Sequence, residues 1–89
     1  MLTKVTRIEK LGGFRLHVSF TDGSEGTHDF SPMVTEGGPM LEPLRAEAFF
    51  NQVFLEFGAP TWPNGFDIAP EWLRREMEAA GELSRVAAE

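Results

Sequence analysis

Residues 14–20 constrain the fold of this chain more than any other stretch. Phe14, Leu16, Val18 and Phe20 fall on one face of an extended segment, and Arg15, His17 and Ser19 fall on the other. Strict alternation of this kind marks a strand with one buried and one solvated face, as in an antiparallel sheet. Thr21-Asp22-Gly23 then turns the chain, and two registers compete. A two-residue Asp-Gly loop would set His17 opposite His28 but would put Phe30 on the polar face. A three-residue loop with Gly23 left-handed sets Phe14 opposite Phe30 and Arg15 opposite Asp29. A one-residue slip moves every side chain to the other face, so the apolar pattern selects the three-residue loop. Gly26, His28 and Phe30 then belong to the core face of the next strand.

The surrounding sequence completes an α+β reading. Residues 3–11 predict a first strand, with a bulge or irregular end because Val5, Ile8 and Leu11 break alternation. Gly12-Gly13 makes a turn. Ser31 as N-cap and Pro32 as first helical residue start a short helix that Gly37-Gly38-Pro39 ends. Residues 40–44 connect, since Pro43 forbids regular helix. A helix over 45–51 buries Ala48, Phe49 and Phe50, and a strand over 53–57 puts Val53, Leu55 and Phe57 on one face. Gly58-Ala59-Pro60 breaks that strand. The last helix runs from about Pro70 to Ala80, with Leu73, Met77 and Ala80 as its apolar stripe, Trp72 beside it and Gly81 as C-cap. Two layers are expected: an antiparallel sheet of three to four strands in β-β-β-α-β-α order, packed by two short helices. Residues 1–81 form a single domain and 82–89 a frayed tail.

At 89 residues the chain builds one core. Cysteine is absent, which excludes disulfides, thiolate metal sites and thiol catalysis and makes a reducing cytoplasm the expected location. The charges separate along the chain. Residues 1–20 balance at +3 and the remainder at −9, for a net charge of −6. An acidic domain repels nucleic acid at long range, so direct duplex DNA binding is not expected. No apolar run is long enough to enter a membrane.

Catalytic chemistry is thinly represented. His17 and His28 are the only imidazoles, and the chosen register puts them on opposite faces, so no metal site is expected. None of Ser19, Ser24, Ser31 and Ser84 sits in a nucleophile elbow. The glycine pairs lack the Lys-Ser/Thr of a phosphate loop. Arg74 and Arg75 read as a solvated face paired with Glu71 and Glu78. No catalytic residue and no cofactor is assigned.

The densest local instructions lie in Trp62-Pro63-Asn64-Gly65-Phe66-Asp67-Ile68-Ala69-Pro70-Glu71-Trp72-Leu73. Pro63-Asn64-Gly65 has the chemistry of a tight turn. Asp67 can cap the last helix, which Pro70 suits as a first residue. Two readings stand side by side. Trp62, Phe66 and Trp72 pack as a clasp that closes the helix over the sheet. Alternatively, Trp62, Pro63, Asn64, Phe66 and Asp67 form an exposed partner-binding ridge, since exposed tryptophan is typical of binding hot spots.

The strand Phe14-Arg15-Leu16-His17-Val18-Ser19-Phe20-Thr21-Asp22-Gly23, then Asp29-Phe30, then Phe49-Phe50, then the segment Trp62 to Leu73 together resemble domain-of-unknown-function family 2442, over about residues 3–77. The tryptophan-containing motif is the more specific part. The resemblance implies a small bacterial α+β domain, often encoded beside a small toxin-like protein, and hence an antitoxin-like or accessory role. Some longer relatives append a helix-turn-helix, which these residues do not contain. The expectation is a non-enzymatic, cytoplasmic interaction domain that binds a small, toxin-like protein partner. The alternative is a homodimeric regulatory or small-ligand module. An enzyme would need a polar cleft around His17 or His28.

Overall fold

The computed structural model describes residues 2–85. Strands β1 (Val5–Gly12), β2 (Arg15–Phe20) and β3 (Ser24–Asp29) form an antiparallel meander. Arg15 pairs with Asp29 and Ser19 with Glu25, the register of the three-residue loop, and Gly23 is left-handed at φ 88°. Leu16, Val18, Gly26 and Phe30 are accordingly buried. The predicted irregularity in β1 is present as two register shifts, between Val5 and Arg7 and between Lys10 and Gly12.

Phe14 does not begin β2. It occupies a two-residue hairpin loop with Gly13, both left-handed, and its ring packs edge-on against Phe50 at 5.3 Å. Past β3, helix α1 (Ser31–Glu36) leads into a 3-10 helix (Pro39–Arg45) and a single turn, α2 (Glu47–Phe50). The cap of α1 differs from expectation: Ser31 lies inside the helix, and its backbone N–H donates to Asp29 Oδ1 at 2.9 Å. Pro43, expected to leave a connector, sits inside the 3-10 helix. Of the expected trio only Phe50 is buried, while Ala48 is exposed.

The strand expected over 53–57 is present but shorter, as the first arm of a hairpin. Strands β4 (Phe54–Glu56) and β5 (Ala59–Thr61) pair around Phe57-Gly58, and both loop residues are left-handed. Phe57 therefore turns out of the sheet and is 89% exposed rather than in the core. The pattern at 53–57 was alternating, but a loop of this type reverses the chain before Phe57 can join the apolar face.

Helix α3 (Pro70–Ala79) buries Leu73 and Met77, with proline in its first turn as expected. Ala80, the third member of the expected stripe, is exposed at the C-cap. Gly81 is left-handed. The Gly81 N–H donates to Glu78 O and the Glu82 N–H to Met77 O, which is a Schellman motif. That motif sends the chain back to the sheet. Ser84–Arg85 form strand β6 and pair with β3, giving a four-stranded sheet in the order β1-β2-β3-β6. Residues 82–85, expected to fray, are thus part of the fold, and 86–89 lie outside the described residues. Gly26 makes the return passable, because a Cβ there would lie 2.0 Å from the Glu82 carbonyl oxygen.

Candidate functional site

The segment after β5 resolves into a clasp. The Trp62 N–H donates to Phe66 O and the Gly65 N–H to Trp62 O, both at 2.9 Å, so Pro63-Asn64-Gly65 is a three-residue loop with Gly65 left-handed. Asn64 braces the loop. Its Oδ1 accepts the Phe66 N–H at 3.2 Å and its Nδ2 donates to Met40 O at 2.9 Å. Trp62 is 1% exposed. Its indole Nε1 donates to Phe50 O at 2.9 Å, and its ring lies 5.6 Å from Phe50 and 5.7 Å from Phe66. Trp62 is therefore core, which removes it from the expected partner-binding ridge. The loop places its indole N–H on the buried Phe50 carbonyl, which also accepts the Val53 N–H at 3.2 Å, so the buried indole donor is satisfied.

Of the other ridge candidates, Pro63, Asn64 and Asp67 are exposed and Phe66 is half-buried. Asp67 does not cap α3. Thr61 pairs with Asp67 and the Ile68 N–H donates to Pro60 O, so the chain is still extended there. The N-cap is Ala69, with no side-chain cap hydrogen bond. Asp67 is simply two residues too early.

The exposed aromatic of the segment is Trp72, at 40%. It lies one helical step off the buried Leu73–Met77 stripe and shares a second stripe with Ala69 and Glu76. That second stripe faces α1 across an open groove. Met33 and Trp72 divide the groove into two hollows. One, about 480 Å³, reaches His28, Asp29, Glu36, Leu41 and Glu76. The other, about 450 Å³, is lined by Phe66, Asp67, Ile68 and Ala69. The walls carry four carboxylates, Asp29, Glu36, Asp67 and Glu76, and no lysine or arginine. The N–H of Ser31 on the Asp29 carboxylate holds its pKa below the usual range, so it is charged at neutral pH. Among the described residues, none of the four forms a salt bridge with lysine or arginine.

The histidines are separated, as the register requires. His17 is on the solvent face, with Nδ1 3.1 Å from Thr27 Oγ1 and Nε2 3.4 Å from Glu25. His28 Nδ1 donates to Glu82 Oε1 at 2.7 Å and its ring packs edge-on against Phe30. His28 thus ties the returning tail to the sheet beside the first hollow. No three His, Asp or Glu side chains among the described residues gather as a metal ion requires.

A separate polar network locks the β2–β3 turn to α3. Asp22 Oδ1 accepts the Ser24 hydroxyl at 2.6 Å and the Ser24 N–H at 3.0 Å, and Oδ2 accepts from Arg74 Nε at 2.8 Å. The Ser24 hydroxyl bond, then its N–H, and then Arg74 lower the Asp22 pKa to about 2. Arg74 also bridges to Glu78 at 2.8 Å. The sequence pointed to Glu78; Asp22, 52 positions away, was not legible from helical spacing.

No helix among the described residues is long and apolar enough to cross a membrane. The family model described as "Protein of unknown function (DUF2442)" matches residues 5–79. No curated protein and no solved structure matches the chain.

Proposed function

The chain belongs to the DUF2442 family, and from that premise we propose that it is a small non-enzymatic interaction domain whose groove between α1 and α3 takes a protein partner. The observation that carries the reading is Trp72. A large aromatic at 40% exposure, set between two mainly apolar hollows, is the arrangement of a binding anchor. The partner-binding role moves from the Trp62 ridge to this groove. Phe66 and Asp67 remain in it as wall residues, while Pro63 and Asn64 belong to the loop behind it.

The non-enzymatic reading is supported by where the imidazoles go. Each is engaged by a carboxylate, and they occupy opposite faces of the sheet. An antitoxin-like role, cytoplasmic and directed at a small toxin-like protein, follows from the family resemblance and fits an acidic groove. Co-purification with a small protein encoded beside it tests the proposal. The expected result is a complex with the wild type that Trp72→Ala loses while keeping its fold. An equally stable complex with the variant would contradict it.

A homodimer has one observation in its favour: Phe57 and Leu2 are both exposed, and Phe57 sits at the tip of the hairpin whose Gly58 O accepts the Val5 N–H of β1. A monomer by light scattering, at any concentration reached, ends that reading.

A further inference from the structure

We propose that the groove between α1 and α3 is built for one kind of occupant: an amphipathic helix of the partner whose apolar stripe is flanked by lysine or arginine. This rests on the partner-binding reading and narrows it. The groove is walled by α1 and α3, with Phe66 to Ala69 closing the smaller hollow; extended backbone reaches it only at His28 and Asp29, the last two residues of β3, and around Asp67, which bridges back to Thr61. An extended peptide would find no sheet edge along its length, and its backbone polar groups would go unpaired there. A helix brings its own backbone hydrogen bonds and needs only pockets for side chains.

The two hollows on either side of Met33 and Trp72 supply those pockets. Side chains at i and i+3 or i+4 stand about 5–6 Å apart on a helix and enter adjacent hollows over one central ring. The charges then select the flanks. Four carboxylates line the walls with no lysine or arginine among them, three at the larger hollow and one at the smaller. Like charge is excluded and opposite charge is attracted, so the basic flank is densest over the larger hollow. The same walls disfavour a second copy of this chain, whose net charge is −6, and they repel phosphate.

The test uses a displayed library of helix-forming peptides of about 18 residues, five turns, with randomised apolar and charged positions, selected on the intact protein at low salt. The expected clones carry apolar residues at i and i+3 or i+4, with Lys or Arg beside them. Their binding weakens with salt, by at least about tenfold in Trp72→Ala, and by several-fold in Glu36→Gln and Glu76→Gln. Ala69→Arg serves as a second variant, since it crowds the smaller hollow with positive charge and removes nothing from the core. It is expected to lose the same clones.

Clones that bind Trp72→Ala and Ala69→Arg as well as wild type, or recovery of no clone at all, would overturn the groove reading itself. Clones that need Trp72 but carry acidic or neutral flanks, or proline-rich extended sequences, would overturn the basic helix and leave the groove reading standing.

Discussion

Trp62 and Trp72 belong to one twelve-residue motif and meet opposite fates. Trp62 is 1% exposed, ringed by phenylalanines, with its indole N–H on a buried carbonyl. Trp72 is 40% exposed and borders an open groove. Residue type does not separate them; backbone geometry does. A three-residue loop with a left-handed glycine turns Trp62 inward, and helical phase sets Trp72 one step off the buried stripe. The phenylalanines at the hairpin tips repeat the lesson. Phe14 and Phe57 are both left-handed, at φ 65° and 53°. Phe14 packs on Phe50, whereas Phe57 is almost fully exposed. The same local strain is offset by packing in one and left uncompensated in the other.

The sharpest way to break the comparison is to truncate the buried member. Trp62→Ala is expected to destabilise by about 3–5 kcal/mol through lost packing and a cavity, measured by denaturant unfolding. A loss under about 1 kcal/mol would place Trp62 outside the core. Gly26→Ala probes the return of the tail behind the groove. A Cβ there collides with the Glu82 carbonyl, so a loss of about 1–3 kcal/mol is expected. Amide exchange should quicken at Ser84 and Arg85 while the Trp62 indole stays protected.

Phe57→Asn works in the opposite direction. Asparagine accepts the left-handed conformation and little packing is lost, so a gain of about 0.5–1 kcal/mol in unfolding free energy is expected. A loss would mean that Phe57 is packed after all. The smallest effect is pH-dependent. The folded-state pKa of Asp22 is depressed to about 2, below its unfolded value, so its contribution is present above about pH 4 and is lost as pH falls toward 2. In Asp22→Asn, acid unfolding should become shallower over that window. An unchanged profile would remove the Asp22–Arg74 lock from the account.

Much of the sheet was legible. The apolar face of residues 14–20 admitted only one loop length, and the Arg15–Asp29 register follows from it. Pro70 and Gly81 marked the ends of α3 because proline suits the first turn of a helix and a left-handed glycine suits its C-terminal cap. The β4–β5 hairpin was hidden because its first loop residue is phenylalanine, where asparagine or glycine would have announced the turn. Strand β6 was hidden because two residues carry no periodicity; it exists because a Schellman motif aims the chain at β3. The stripe Ala69-Trp72-Glu76 could have been read from helical spacing. That it faces α1, with carboxylates on both banks, is a tertiary fact.

Tryptophan fluorescence of Trp72→Phe tests the central claim most directly, because Trp62 is then the only indole. Blue-shifted emission that acrylamide quenches far less than in the wild type is the predicted result. Red-shifted emission quenched as strongly as before would mean that the exposed tryptophan is Trp62, and the binding face would return to the Pro63-Asn64-Gly65 loop.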